Sequence, residues 1–149
     1  MNLKAPLLIA LACLTLTACG GVDPNSPMGK RQAIFKDMLK TSEDLGGMLR
    51  GRVAFDEARF ISGAAQLDQL SRTPWQHFPQ ARDEGDSRAK DDVWARQETF
   101  QRMARDLESA TAALVTASTA TPLKSDDLAA PMQRVEDSCK ACHEEFRAY

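Results

Sequence analysis

The chain has 149 residues, of which 43% are hydrophobic and 27% charged, enough for one domain with one core of ordinary size. The formal net charge is -2 and the sequence pI is near 5.7. These values give no strong electrostatic field, and no tract interleaves basic with aromatic residues. They argue against nucleic acid as a partner.

Residues 1–18 have the pattern of a secretory signal peptide. Lys4 is their only charge, the stretch from Leu7 to Leu16 is almost wholly apolar, and two small residues, Thr17 and Ala18, follow it. The apolar stretch is short for a transmembrane helix and the chain after it is polar. We therefore predict export, with removal of residues 1–18.

The sequence Leu-Thr-Ala-Cys-Gly at residues 16–20 resembles a bacterial lipobox. In that interpretation Cys19 becomes the lipidated first residue of the mature protein, and several acyl chains give stable anchoring. The alternative is an ordinary signal peptide that leaves Cys19 as a free terminal thiol. A glycine after the cysteine resembles the pattern of lipoproteins that are sorted to the outer membrane. We therefore expect a lipoprotein on the periplasmic side of a bacterial membrane, namely the outer membrane.

Residues 19–27 read as a tether, because the segment from Gly20 to Pro27 holds two glycines and two prolines without apolar periodicity. The first predicted helix begins at Ser26-Pro27, an N-cap followed by proline, and runs to about Leu49. Its predicted buried stripe consists of Ile34, Phe35, Met38, Leu39, Leu45 and Met48.

The second predicted helix covers about residues 56–70, with a buried face of Phe60, Ala64, Leu67 and Leu70. Residues 71–87 contain two prolines, a glycine and several charges and are predicted to form a long loop that has a function or a packing partner. The third helix is predicted over about residues 90–118, ending at Thr121-Pro122. Its apolar face consists of Val93, Phe100, Met103, Leu107, Leu114 and Val115.

The fourth helix is predicted from about Ser125 to the C-terminus, with Ser125, Asp126 and Asp127 as candidate N-caps. Pro131 lies either in the first turn of a helix that starts late or at a kink in one that starts early. No segment alternates with the period of a strand. We predict an all-α antiparallel four-helix bundle over residues 28–149.

The motif Cys139-Lys140-Ala141-Cys142-His143 is the attachment pattern for haem c. Each thiol adds to one vinyl group of the macrocycle and the imidazole reaches the iron. Positions 139, 142 and 143 are related as i, i+3 and i+4, so they project from one side of a helix. The sequence therefore predicts one covalent haem with His143 as axial ligand.

Three other interpretations compete. A zinc half-site needs two more ligands, and beyond the motif the mature chain offers only Cys19 and His77. A thioredoxin-like redox pair is expected between a strand and a helix. A disulfide between i and i+3 of one helix is strained. Export favours the haem, because c-type maturation takes place outside the cytoplasm.

The chain resembles the cytochrome c prime family, class II c-type cytochromes built as a four-helix bundle with the haem site near the C-terminus. The similarity covers residues 27–149 and is strongest in the motif region. Its specific stretches are Lys30–Met38, Thr73–Phe78, Asp92–Trp94 and Ser138–Arg147.

The resemblance implies that Arg31 and Gln32 lie near the haem propionates and that Phe35 lies over the distal face of the iron. A guanidinium forms charge-assisted hydrogen bonds with carboxylates, and a phenyl ring offers iron no lone pair. Low-spin relatives have a ligating methionine at the position of Phe35. The implied site is a five-coordinate iron that binds small neutral gases, chiefly NO and CO.

Five other side chains each have two interpretations, one as part of the haem site and one as a residue with only a structural position. Met38 and His77 are candidate iron ligands, with core packing and an exposed loop position as the respective alternatives. Trp75 and Phe78 pack on the haem edge or belong to the core. Arg147 lies near the proximal side or is a surface arginine at a helix C-terminus.

Two functions follow. The first is binding of nitric oxide and carbon monoxide, with protection against nitric oxide near the membrane. The second is a membrane-tethered electron carrier that exchanges electrons with redox partner proteins and uses a sixth ligand such as Met38. We find no acid, base or nucleophile arrangement that indicates an enzyme. The resemblance also implies a homodimer through the first two helices.

Overall fold

The computed structural model describes residues 21–82 and 87–149, and within these ranges it contains helices and no strand. The signal peptide and Cys19 lie outside the described residues. Five α-helices and one 3₁₀ turn, Trp75–His77, follow one another within these two ranges. The helices are α1 (Pro27–Leu49), α2 (Glu57–Ser71), α3 (Asp92–Ala95), α4 (Gln97–Ala117) and α5 (Ser125–Phe146). The predicted all-α bundle is confirmed, with α1, α2, α4 and α5 as its four long helices.

Side-chain caps start the first two long helices. The Ser26 Oγ accepts a hydrogen bond of 3.0 Å from the Gly29 N–H, with Pro27 in the first turn as predicted. Asp56 caps α2 through the Arg59 N–H at 2.9 Å. Helix α5 differs, because its N-cap is Lys124 and no side chain caps it. The predicted caps at residues 125–127 are therefore wrong; two of them are acids in the first turn, where they favour the helix dipole.

The predicted third helix is divided in two by Arg96, whose φ of -125° and ψ of 47° are not helical. The break separates the short α3 from α4 and lets Val93 pack away from the main core. Helix α5, by contrast, continues across Pro131, which is buried inside it. The helix begins at Ser125, so the predicted late start with Pro131 in the first turn is wrong and the alternative of an early start is the one observed.

The main core fills the centre of the bundle, where α1 packs on α2 and α5, and α4 packs on α2 and α5. Its buried residues are Met38, Leu45, Met48, Phe60, Ala64, Leu67, Leu107, Leu114, Leu123, Leu128, Met132 and Val135. Leu39 is 59% exposed, so its predicted place in the α1 stripe is wrong. It follows the buried Met38 directly and therefore lies about 100° around the helix from it.

One end of the bundle, called here the motif end, holds the start of α1, the 3₁₀ turn, α3 and the end of α5. Residues 87–90 tie these elements together. The Arg31 Nη2 donates to the Ser87 Oγ at 3.1 Å, and the Lys90 N–H donates to the Phe146 carbonyl at 2.9 Å. The Ala148 N–H completes the link by donating to the Arg88 carbonyl at 2.7 Å.

Candidate functional site

The three motif side chains lie on α5 and all are partly buried. Cys139 packs against the main core. Cys142 packs against a second group of side chains, the aromatic cluster, which surrounds the end of α5. The members of the aromatic cluster are Val93, Phe100 and Phe146, with Trp75, Phe78, Ala89, Trp94 and Met103 packed around them.

Phe100 is the centre of the aromatic cluster. Its ring meets those of Trp75, Phe78 and Phe146 edge to face, with centroid distances of 5.8, 4.9 and 5.3 Å. This geometry is the favoured one for aromatic pairs. The Trp75 Nε1 donates to the Ser71 carbonyl at 2.7 Å, which fixes the indole against the end of α2. Trp75 and Phe78 thus both belong to the aromatic cluster, and their packing on a haem edge stays a prediction.

Phe35 joins this arrangement from α1. Its ring lies edge to face with Trp75, at a centroid distance of 5.9 Å, and with Phe78 at 6.5 Å. Met38, one helical turn further along α1, is instead buried in the main core, with 5% of its surface exposed. The structure thus places the phenyl ring against the aromatic cluster and the thioether in the core.

Arg31 is buried, with 3% of its surface exposed, although it is charged. Its Nη1 donates to the His77 carbonyl at 3.1 Å, and its guanidinium carbon lies 4.7 Å from the Phe78 ring centroid. The neighbouring Gln32 is exposed. His77 is half-buried in the 3₁₀ turn rather than exposed in a loop, so that part of its ordinary interpretation is wrong.

Burial sets the protonation of the motif residues. It raises the pKa of the Cys139 thiol to about 11, with smaller contributions from Cys142 and Glu136, and raises that of Cys142 to about 11 as well. Burial lowers the pKa of His143, and the charge of Arg147 lowers it further. At neutral pH this arrangement presents two thiols and a neutral imidazole with a lone pair for a metal.

Arg147 lies directly after the last residue of α5, four positions after His143. Helix α5 ends at Phe146, and Arg147 caps it in an extended conformation, with its N–H bonded to the His143 carbonyl at 3.1 Å. The backbone of Arg147 forms an isolated antiparallel bridge with Ala89, and this pairing draws it out of the helix. Its charge contributes to the lowered pKa of His143, and a role on the proximal side stays a prediction.

The residues present fit a haem attached through two thioethers. Cys139 and Cys142 are free thiols on the same side of α5 as His143, and they pack against the main core and the aromatic cluster, whose side chains are apolar like a macrocycle. Within residues 21–82 and 87–149, no group of three or more His, Cys, Asp or Glu residues could hold a metal ion. A zinc site is therefore not supported in these ranges, and the two cysteines are not joined in a disulfide.

Sequence reasoning missed the composition of the aromatic cluster. The sequence predicts Val93 and Phe100 on one helical face. Trp94 enters the prediction only as part of the stretch Asp92–Trp94 that resembles the family, and nothing in the sequence predicts its position next to the motif. Trp94 donates from its Nε1 to the Pro79 carbonyl at 2.8 Å and so joins α3 to the loop. Phe146, three residues after His143, was the available signal, because that spacing puts an aromatic ring near the imidazole on the helix.

Comparison with known proteins places the chain in one family. The family model described as "Cytochrome C'" matches residues 26–147. Cytochrome c' of Rhodopseudomonas palustris is 30% identical over 122 residues, which is 81% of each chain, and that of Alcaligenes xylosoxydans is 27% identical over 83% of this chain and 94% of its own. The structure of cytochrome c prime from Shewanella frigidimarina has a TM-score of 0.79 and 26% identity, covering 87% of this chain and 99% of the other. Among the residues that the structure describes, no helix is both long and apolar enough to cross a membrane. The chain belongs to the cytochrome c prime family and carries one covalently attached haem c.

Proposed function

We propose that this protein binds nitric oxide and carbon monoxide at a five-coordinate haem iron and protects the cell envelope against nitric oxide. The single observation that supports it is the position of Phe35, whose ring is held between those of Trp75 and Phe78. A phenyl ring cannot ligate iron, so nothing at this position competes with a gas. When bound, the haem supplies an iron(II) centre with one coordination position for a diatomic ligand.

Each residue of this chain has a defined part in the proposal. Cys139 and Cys142 would hold the macrocycle, and His143, kept neutral at pH 7 by its partial burial, would bind the iron through an imidazole nitrogen. Arg31 would supply a buried positive charge to the propionates, with Gln32 next to it in the sequence. Because these carboxylates would otherwise lie beside apolar side chains, a charged donor there stabilises them.

The distal side favours small neutral ligands for a physical reason. Phe35, Trp75 and Phe78 offer no hydrogen-bond donor to a ligand except the indole N–H, and that group is bonded to the Ser71 carbonyl. Anionic ligands and water would lose hydrogen bonds on entering such a site. Carbon monoxide and nitric oxide form only weak hydrogen bonds with water and so lose few on entering. Structures of Alcaligenes xylosoxidans cytochrome c prime variants are described as complexes with these two gases.

The proposal includes a location. The signal-peptide pattern of residues 1–18 and the lipobox ending at Cys19 support export followed by lipidation, with the protein held on the periplasmic side of the outer membrane.

The test is the resting coordination of the purified holoprotein. We expect optical and EPR spectra of high-spin iron, and ferrous protein that binds both gases in titrations. A six-coordinate low-spin spectrum with no response to nitric oxide would contradict gas binding and favour an electron carrier. Protection is tested by the growth of a bacterial host exposed to a nitric oxide donor, with the C139S/C142S variant as the control that lacks attached haem.

A further inference from the structure

We propose that the lipid anchor turns the motif end of the bundle toward the bilayer, so that the haem site faces the membrane and the opposite end faces the aqueous periplasm. This inference rests on the proposed lipidation of Cys19. The partner that the motif end faces is a lipid surface. The evidence is the short distance along the chain between Cys19 and Asp23, the first residue that is fixed to the bundle.

The expected tether is largely fixed in the structure. Residues 23–26 form a turn, in which the Asp23 carbonyl accepts from the Ser26 N–H at 3.1 Å and from the Ser26 Oγ at 2.6 Å. The Asp23 Oδ1 also accepts from the Asn25 N–H at 2.9 Å. These bonds join Asp23 to the N-cap of α1.

Gly29 strengthens this attachment. A Cβ at Gly29 would collide with the Asp23 carbonyl oxygen, and it would approach the Pro24 Cα to 2.9 Å. The backbone of Asp23 and Pro24 therefore packs directly on the first turn of α1, in space that only glycine leaves open. Asp23 moves with the bundle rather than with the anchor.

Only four peptide steps separate Cys19 from Asp23. Even fully extended they span about 14 Å. Helix α1 alone has 23 residues and is about 35 Å long. The anchor therefore cannot reach around the bundle, and the end at which α1 begins is held nearest to the lipid.

That end is also the motif end. Arg31, in the second turn of α1, bonds to Ser87, and residues 88–90 pair with the end of α5. The aromatic cluster and the motif are thus at the anchored end, whereas the connection between α4 and α5 lies at the other.

The surface chemistry at this end is compatible with a headgroup region. Tyr149 is 87% exposed, and the Arg147 guanidinium lies 5.8 Å from its ring centroid. Tyrosine is enriched where proteins meet the membrane–water interface. The charges here are mixed, because Arg82 pairs with Asp91 at 2.7 Å and Arg96 pairs with Glu145 at 2.8 Å. The anchor, rather than attraction to anionic lipid, is what sets the orientation.

The orientation has a consequence for the proposed function. Nitric oxide and carbon monoxide are small and uncharged, so they enter a hydrocarbon phase without the penalty that excludes ions. A gas that leaves the bilayer meets the motif end first, next to the aromatic cluster.

The experiment uses the full-length, lipidated holoprotein in phosphatidylethanolamine–phosphatidylglycerol vesicles. Two single variants carry a spin label: Gln80→Cys, exposed in the loop at the motif end, and Ala120→Cys, exposed at the opposite end. The cysteines of the motif and the lipid anchor are covalently occupied, so each variant has one reactive thiol. The reference is the matching soluble protein that begins at Asp23.

We expect the label at residue 80 to lose collisions with a water-soluble nickel chelate at least twofold on vesicles, with no change at residue 120. Equal accessibility at both sites, or shielding at residue 120 alone, overturns the proposal. Twenty Gly and Ser residues inserted between Val22 and Asp23 should remove the shielding at residue 80. Shielding that survives the insertion also contradicts a tether-imposed orientation.

Mass spectrometry and gas binding separate the two proposals. A mature protein without acyl chains on Cys19 overturns the orientation, yet the soluble protein still reports whether ferrous haem binds nitric oxide. Failure of gas binding in that soluble protein contradicts the proposed function and leaves the vesicle result standing.

Discussion

The Arg31 guanidinium lies over the face of the Phe78 ring, with 4.7 Å between the guanidinium carbon and the ring centroid. Hydrogen bonds to the His77 carbonyl and the Ser87 Oγ hold that guanidinium in place. Phe78 in turn meets the edge of Phe35 at 6.5 Å. Arg31 therefore supports, through one intermediate ring, Phe35, which under the proposed function moves aside when a gas enters.

This relationship predicts that Arg31→Lys speeds gas entry. Lysine keeps the charge but lacks the planar fork that bonds two acceptors and stacks on a ring. Loss of a cation–π contact of about 1 kcal/mol would raise the rate of carbon monoxide binding to ferrous protein by up to about fivefold. Flash photolysis measures the rate. Arg102→Lys, on the exposed surface of α4, is the control, and equal rates in both variants would contradict the link.

Phe35→Met is expected to change the coordination of the iron. A thioether at the position of the phenyl ring supplies the lone pair that the ring lacks, as in the low-spin relatives that this chain resembles. We predict conversion of the resting spectrum from high-spin to low-spin and at least tenfold weaker carbon monoxide binding. Phe35→Leu, which removes the ring without adding a ligand, should stay high-spin. A low-spin Leu variant would show that another group reaches the iron.

Met38→Leu tests the alternative ligand directly. Because Met38 is 5% exposed and packed in the main core, we expect an unchanged optical spectrum. The substitution conserves volume, so the free energy of unfolding should fall by less than about 1.5 kcal/mol. Urea titration followed by circular dichroism gives the stability. Appearance of a high-spin spectrum from a low-spin parent would identify Met38 as the sixth ligand.

Each of the two motif cysteines should be able to hold the haem on its own, so removal of one thioether should leave the haem attached through the other. Cys139→Ser and Cys142→Ser singly each leave one covalent link, so the haem stays with the protein in acidified acetone. The double variant should lose it completely to the solvent. The pyridine haemochrome spectrum counts the remaining links by the position of its long-wavelength band. Haem retained by the double variant would mean attachment at another residue.

Thr111→Val is predicted to destabilise the bundle by about 1–3 kcal/mol, although the two side chains have nearly the same shape. Thr111 is fully buried, and its Oγ1 lies 3.0 Å from the Ser71 Oγ and 2.9 Å from the Asp68 Oδ1, so valine removes one hydrogen-bond partner from each of these groups. Thr116→Val, on the exposed face of the same helix, is the matched control. Equal unfolding midpoints for the two variants would show that the pair contributes nothing.

Local patterns predicted most of the secondary structure. The cap at Ser26, the proline after it and the apolar spacing of α2 and α4 are properties of neighbouring residues, and the helices begin and end close to the expected places. The errors fell where distant contacts override local preference. Arg96 breaks a helix whose apolar periodicity is continuous, and Arg147 leaves α5 to pair with Ala89.

By itself the sequence determined the chemistry of the site, because thioether attachment needs only two cysteines and a histidine at helical spacing, all within one turn and a half of α5. Tertiary structure alone decided what surrounds them. The contacts of Arg31 with residues 77 and 87, of Phe35 with Trp75, and of Lys90 with Phe146 join residues between 40 and 56 positions apart. No local pattern encodes such pairs, since they exist only when four helices pack and bring their ends together.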